Sequence, residues 1–235
     1  GPDHRAKLTV ELLVPQGAGP FPVFITQENH RQWSLIALRR GYLACVLAAC
    51  DSHDDTDSFV DAFPGYDWSR LTRRGWAVGR CIDYLASIPQ ARMDQIATTG
   101  HSRNGKSSLI ASALDERIAV VISSSSGVGG SVPSRYCGEP EFGEGIENIT
   151  RSFPEWFNPR WRFFAGREQK CPIDLHELVA LSAPRACLIS SAMNDGVEST
   201  WAIEKTYLSV KPVYSMLGHE DRFRILWRQA AHETW

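Results

Sequence analysis

The stretch Thr98-Thr99-Gly100-His101-Ser102-Arg103-Asn104-Gly105-Lys106 constrains the fold more than any other part of the chain. The short apolar run before it, residues 95–99, reads as a strand, and residues 107–114 read as a helix. A strand, a tight turn and a helix with serine at the apex form a nucleophile elbow, which holds the serine in a strained backbone and pushes its hydroxyl into the open. Gly100 and Gly105 supply the room such a turn needs. The helix that starts there aims its first N–H groups at any negative charge forming beside the serine. Position 104 is Asn, so the second glycine of the usual G-x-S-x-G pattern comes one place late.

Around this centre strands and helices alternate. Residues 8–14 and 21–26 read as strands separated by a Pro/Gly-rich turn. Trp33, Ile36, Ala37 and Arg40 have helical spacing, and Gly41 stops that helix. The unbroken apolar run 42–49 fits a strand buried on both faces of a parallel sheet. Residues 51–61 are acidic and irregular and are expected to form a solvated loop. Residues 69–88 predict a long amphipathic helix with Leu71, Val78, Ile82 and Leu85 on one stripe, ended by Pro89. Further strands are expected at 118–123, 185–191 and 212–217, and helices at 174–181 and 200–210. This order predicts an α/β fold with a mostly parallel central sheet and helices on both faces, a three-layer αβα sandwich. In such sheets ligands bind at the carboxyl ends of the strands. Ser102, the Ser124 loop, Asp195 and the Gln27 loop all follow strands and so are expected on one rim.

The chain has 235 residues, 43% of them hydrophobic, which suits one α/β domain spanning 1–235 with a substantial core. An aromatic-rich insert at about 131–170 carries Tyr136, Phe142, Phe153, Trp156, Phe157, Trp161, Phe163 and Phe164. A net charge of −2 gives no footing for a nucleic-acid partner. No apolar run approaches the roughly 18 residues that a membrane span needs. Cys45, Cys50, Cys81, Cys137, Cys171 and Cys187 contain no C-x-x-C pair, which argues against a zinc site. Cys45, Cys81 and Cys187 read as buried thiols, whereas Cys137 and Cys171 lie in loops where a pair could form. Gly1-Pro2-Asp3-His4 has no signal-peptide character, and Gly-Pro is compatible with a cloning scar that has replaced a leader.

Residues 100–106, G-H-S-R-N-G-K, resemble the signature G-C/H-S-R-x-G-K of the glucuronoyl esterases, carbohydrate esterase family 15. The similarity runs from about 64 to 185. It takes in Tyr66-Asp67-Trp68, Ser125-Ser126-Gly127-Val128-Gly129-Gly130, Phe153-Pro154-Glu155-Trp156-Phe157, Asp174-Leu175-His176-Glu177-Leu178 and Ala183-Pro184-Arg185. The resemblance implies the α/β-hydrolase fold and cleavage of esters between lignin alcohols and the glucuronic acid side groups of xylan. It also implies a saccharide ester as partner, no metal or organic cofactor, and an extracellular or periplasmic site of action; a monomer is expected.

A serine hydroxyl becomes a good nucleophile only when an imidazole takes its proton and a carboxylate fixes that imidazole. In α/β-hydrolases the chain order is Ser, acid, His. His219 and His232 both follow the expected last strand, and the resemblance favours His232, within His232-Glu233-Thr234-Trp235. Many members of the family carry a glutamate at the position matching Ser125. With serine there, the acid is expected after the next strand, as Asp195, with Glu198 the alternative, a residue that would otherwise charge the first turn of the next helix. Arg103 is expected to give an oxyanion donor through its backbone N–H, and the resemblance adds its side chain. Lys106 resembles a family lysine that holds hydroxyls of the uronate ring. Trp156 and Trp161 would form a wall for a sugar if exposed, or pack the insert onto the domain if buried. The tryptophan that the family usually carries after the late acidic turn is absent; Gly196 and Val197 stand there. Taken together, a serine carboxylesterase acting on uronic-acid esters is expected. The rivals are an esterase for methyl uronates or acetyl xylan, and a carbohydrate-binding protein that has lost turnover.

Overall fold

Residues Leu43–Leu47 are buried one after another, as an unbroken apolar sequence requires of a strand covered on both faces. The computed structural model describes residues 5–137 and 143–234; Gly1 to His4, Phe142 and Trp235 lie outside the described residues. The strands are β1 (Val10–Leu13), β2 (Phe21–Gln27), β3 (Leu43–Leu47), β4 (Ala49–Cys50), β5 (His53–Asp54), β6 (Ala91–His101), β7 (Val120–Ser124), β8 (Ala186–Ala192) and β9 (Phe223–Arg228). The helices are α1 (Arg31–Arg39), α2 (Ser58–Ala62), α3 (Arg70–Leu85), α4 (Arg103–Leu114), α5 (Ile146–Ser152), α6 (Leu175–Ala180) and α7 (Thr200–Met216). Seven strands form one sheet in the order β1-β3-β2-β6-β7-β8-β9, while β4 and β5 make a separate small pair. Only β1 runs antiparallel to its neighbour, so the sheet is mostly parallel.

Register decides what each face buries. Val23, Ile25, Ile96, Val121 and Cys187 share one face and pack against Val78 and Ile82 of α3, Leu109 of α4 and Ile203 and Val210 of α7. On the other face, Phe24, Ala97, Val120 and Ile122 border an apolar groove of about 590 Å³ beside Trp33 and Ile36 of α1. The aromatic segment after β7 closes over the start of α3. The first N–H groups of a helix have no partner within it; here Arg70 N–H donates to Glu155 O at 3.0 Å and Leu71 N–H to Trp156 O at 3.3 Å.

Two elements differ from the sequence expectation. The strand expected at 212–217 is instead the last part of α7, which runs through Pro212. Ile203, Thr206, Val210 and Tyr214 recur at helical spacing and are all fully buried, and this stripe outweighs the hydrogen bond that a helical proline forfeits. The true last strand is β9, whose Phe-Arg-Ile-Leu-Trp-Arg sequence suits the outer position it takes in the sheet. The acidic run 51–61 is likewise not a solvated loop: it holds β5 and α2. Its acids pair with arginines of α3, Asp54 and Asp51 with Arg74 at 2.8 and 2.9 Å, and Asp57 with Arg73 at 2.8 Å. Arg74 is 1% exposed, so these carboxylates offset the charge of a buried cation.

Candidate active site

Sharp geometry at the end of β6 presents Ser102. Its backbone sits at φ 56° and ψ −128°, a conformation that non-glycine residues adopt rarely. The turn is so tight that a Cβ on Gly100 would stand 2.4 Å from the Asn104 carbonyl, which only glycine avoids. Ser102 N–H donates to Ser124 O at 2.8 Å and pins the elbow to β7. A cavity of about 450 Å³ opens over Ser102, between His30, Arg103, His232 and Thr234.

Three separate strand ends bring Ser102, His232 and Asp195 together. His232 follows β9 and places Nε2 3.0 Å from Ser102 Oγ. Asp195 lies in the turn after β8, with its carboxylate oxygens 2.9 and 3.0 Å from His232 Nδ1. A carboxylate only accepts hydrogen bonds, so Nδ1 carries the imidazole proton and Nε2 is left to accept from the serine hydroxyl. Burial alone would raise the Asp195 carboxyl, but hydrogen bonds from His232 and from Val197 N–H (2.8 Å) outweigh it. The acid is therefore held below its ordinary value and stays charged.

The other residues singled out from the sequence fall elsewhere. His219 precedes β9, so it lies at the amino end of the strand, on the rim opposite Ser102. Glu198 is 1% exposed and accepts from Gly127 N–H at 3.1 Å and the Ser131 hydroxyl at 3.2 Å; burial pushes its carboxyl up. Ser199, not Glu198, caps α7, accepting from Ala202 N–H at 3.1 Å.

Arg103 opens α4, so its backbone N–H is one of those without an intrahelical partner and stands next to Ser102. Its guanidinium pairs with Asp51 and lies 5.0 Å from the centre of the Trp156 ring. Lys106, expected to reach a sugar, is 2% exposed. Its ammonium donates to Ser126 O and, at 2.8 Å, to Val128 O, and sits 3.7 Å from Glu144; burial draws its pKa down to about 8. The reason is geometric: α4 starts at the elbow and turns this position inward under the β7 loop. Trp156 is buried rather than exposed as a sugar-stacking ring would be. It is 4% exposed, stacked on Phe153 at 3.8 Å between ring centres, and belongs to the core with Leu71 and Ile149. Trp161, half-buried, leans on Phe157.

A family model described as "Glucuronyl esterase, fungi" matches residues 2–218. The chain belongs to the glucuronyl esterase family. It is 37% identical to 4-O-methyl-glucuronoyl methylesterase 1 of Phanerochaete chrysosporium over 230 residues, covering 89% of this chain and 47% of that protein. It is 38% identical to carbohydrate esterase MZ0003 of an unknown prokaryotic organism over 151 residues, covering 64% of this chain and 34% of that one. The chain thus spans between a third and a half of these relatives. Among solved structures, a carbohydrate esterase family 15 glucuronoyl esterase from Caldicellulosiruptor kristjansonii superposes with a TM-score of 0.86 at 27% identity, covering 98% of this chain and 69% of that one. The fold of this glucuronyl-esterase-family chain is accordingly that of the α/β-hydrolases.

Reading the sequence missed four residues around Ser102. His30 Nε2 accepts from His101 N–H at 3.3 Å and from the Asn104 side chain at 3.2 Å, tying the loop after β2 to the elbow. His101 Nε2 donates to the His232 carbonyl at 2.8 Å, so its Nδ1 accepts from the Ser124 hydroxyl at 3.3 Å. Burial is the main cause that brings both His30 and His101 down to about 4. Asn104 and Arg228 complete the set. The position of His30 in the loop after β2 was the one available signal; nothing local marked the others.

Proposed function

We propose that this chain is a serine carboxylesterase that hydrolyses uronic-acid esters of plant polysaccharide, of the 4-O-methyl-glucuronoyl type, through an acyl-enzyme. What carries the reading is the contact of His232 Nε2 with Ser102 Oγ at 3.0 Å, backed by Asp195 at 2.9 Å. Relatives named 4-O-methyl-glucuronoyl methylesterase support the choice of ester. Ser102 Oγ bonds to the ester carbonyl carbon as its proton passes to His232 Nε2. The negative oxygen that forms is stabilised by N–H groups at the start of α4, including that of Arg103, and one such donor is worth roughly 3 kcal/mol. The C–O bond to the alcohol then breaks, and His232 returns the proton to the departing oxygen. Water, deprotonated by His232, attacks the acyl carbon and releases the uronic acid and Ser102. The chain acts as one domain with an insert at about 131–170, as a monomer, on extracellular or periplasmic glycan; none of its described helices is long and apolar enough to cross a membrane.

An esterase for methyl uronates or for acetylated xylan is the second reading. It is favoured by Gly196 and Val197, which leave the late acidic turn without an aromatic ring. Rates on benzyl glucuronate, methyl galacturonate and an acetylated xylo-oligosaccharide separate the two. The first reading expects benzyl glucuronate to be turned over fastest; a preference for either other ester replaces it, and no hydrolysis of any of the three sinks the esterase itself.

A further inference from the structure

Behind the Ser102–His232–Asp195 line lies a cation that the reaction as written does not use. Arg228 ends β9, just before the segment that carries His232. Its Nε donates to the Ser190 hydroxyl at 3.0 Å, Nη1 to the Glu233 carbonyl at 3.2 Å, and Nη2 to the Ser125 hydroxyl at 2.8 Å, with Ser124 Oγ at the edge of reach at 3.5 Å. One side chain therefore grips β7, β8 and the segment bearing the base. Ser125 is held at φ 43°, a strained conformation for a serine, and its hydroxyl meets the guanidinium.

Hydrogen-bond polarity gives this arrangement a direction. A guanidinium has donors and no acceptor, so the Ser125 oxygen must accept from Arg228. That ties the loop after β7 to the end of β9 and turns the Ser125 hydrogen away from the guanidinium. Through Nε the same guanidinium holds β8, the strand that leads into the Asp195 turn, and through Nη1 it fixes the main chain beside His232.

We propose that Arg228 is a positioning residue for hydrolysis, acting through the Ser125 and Ser190 hydroxyls on the ends of β7 and β8, the second of which leads to Asp195, and through the Glu233 carbonyl on the segment that carries His232. The proposal rests on the serine-esterase reading, and its test needs no uronate. A fluorophosphonate labels any serine that an imidazole activates, so its rate of reaction with Ser102 reads positioning directly. Labelling of the parent at Ser102 is expected. Arg228→Gln should label about tenfold to a hundredfold more slowly and lose kcat on benzyl glucuronate by the same factor, with KM within about twofold. Arg228→Lys, which restores the charge but not the fork, should recover part of the loss. Ser125→Ala should cost about fivefold, and Ser125→Ala with Arg228→Gln no more than Arg228→Gln alone, because both break the same contact. If Arg228→Gln shows no cooperative melt, Arg228→Lys and Ser125→Ala carry the comparison. Parental labelling rates in Arg228→Gln or Arg228→Lys, or losses that multiply in the double variant, overturn the proposal. A parent that is not labelled overturns it together with the esterase reading. A parent that is labelled but leaves uronate esters intact changes the substrate alone, and the comparison of labelling rates stands.

Discussion

In the proposed mechanism the charge on Asp195 matters most at the instant His232 becomes an imidazolium, because it then faces a full positive charge across a 2.9 Å hydrogen bond. Asp195→Asn keeps the shape but removes that charge and permits the wrong tautomer; kcat should fall by roughly 10³–10⁴, with KM little changed. Glu198 is buried against Gly127 N–H and the Ser131 hydroxyl. Glu198→Gln should lower the melting temperature and leave kcat within about threefold. Measuring kcat and thermal unfolding for both variants separates them. A kcat loss in Glu198→Gln as deep as that of Asp195→Asn would reassign the acid.

At the scale of elements, Trp156 makes the clearest contrast between what it is and what it resembles. Removing a buried ring stacked on Phe153 and packed near Leu71 should cost about 3–5 kcal/mol. Urea titration of Trp156→Ala checks this; a rise in KM with unchanged stability would mean that the ring faces sugar after all. Sequence carried the elbow and the apolar strands, because each is written in neighbouring residues. It did not carry α7 beyond Val210, because Pro212 argues locally against a helix while the stripe Ile203, Val210 and Tyr214 argues for one only once a sheet is there to bury it. Nor did it carry Arg228. An arginine on an outer strand looks like a solvated residue, and its partner Ser125 lies 103 residues away in the sequence. Lys106 and Trp156 were legible as residue types at notable positions, but burial is set by α4 and the insert closing on each other, and no short window records that.

For the whole molecule, the two histidines beside the elbow contribute to the response to acid. His30 and His101 are brought to about 4 in the fold, against an ordinary value of 6.5. Between those limits the unfolded chain binds more protons than the folded one, so their contribution to stability falls as pH drops from about 6.5 to about 4. The buried carboxyls of Glu144 and Glu198 are pushed up and act in the opposite sense, favouring the folded state as they take protons. Imidazole NMR signals of His30 and His101 should hold their neutral positions until pH approaches about 4. Titration of either near its ordinary value would refute this. The same titration explains why the elbow can be crowded with rings at neutral pH without mutual repulsion.

In the described sheet, β9 has a partner along one side only, and it is this strand that delivers the imidazole. Mild warming or gentle chemical stress will loosen an outermost strand long before it disturbs Val121 or Ile25. Loss of turnover should therefore run ahead of loss of shape, and a protein silenced in this way would regain its rate on cooling, since nothing in its interior had yet come apart.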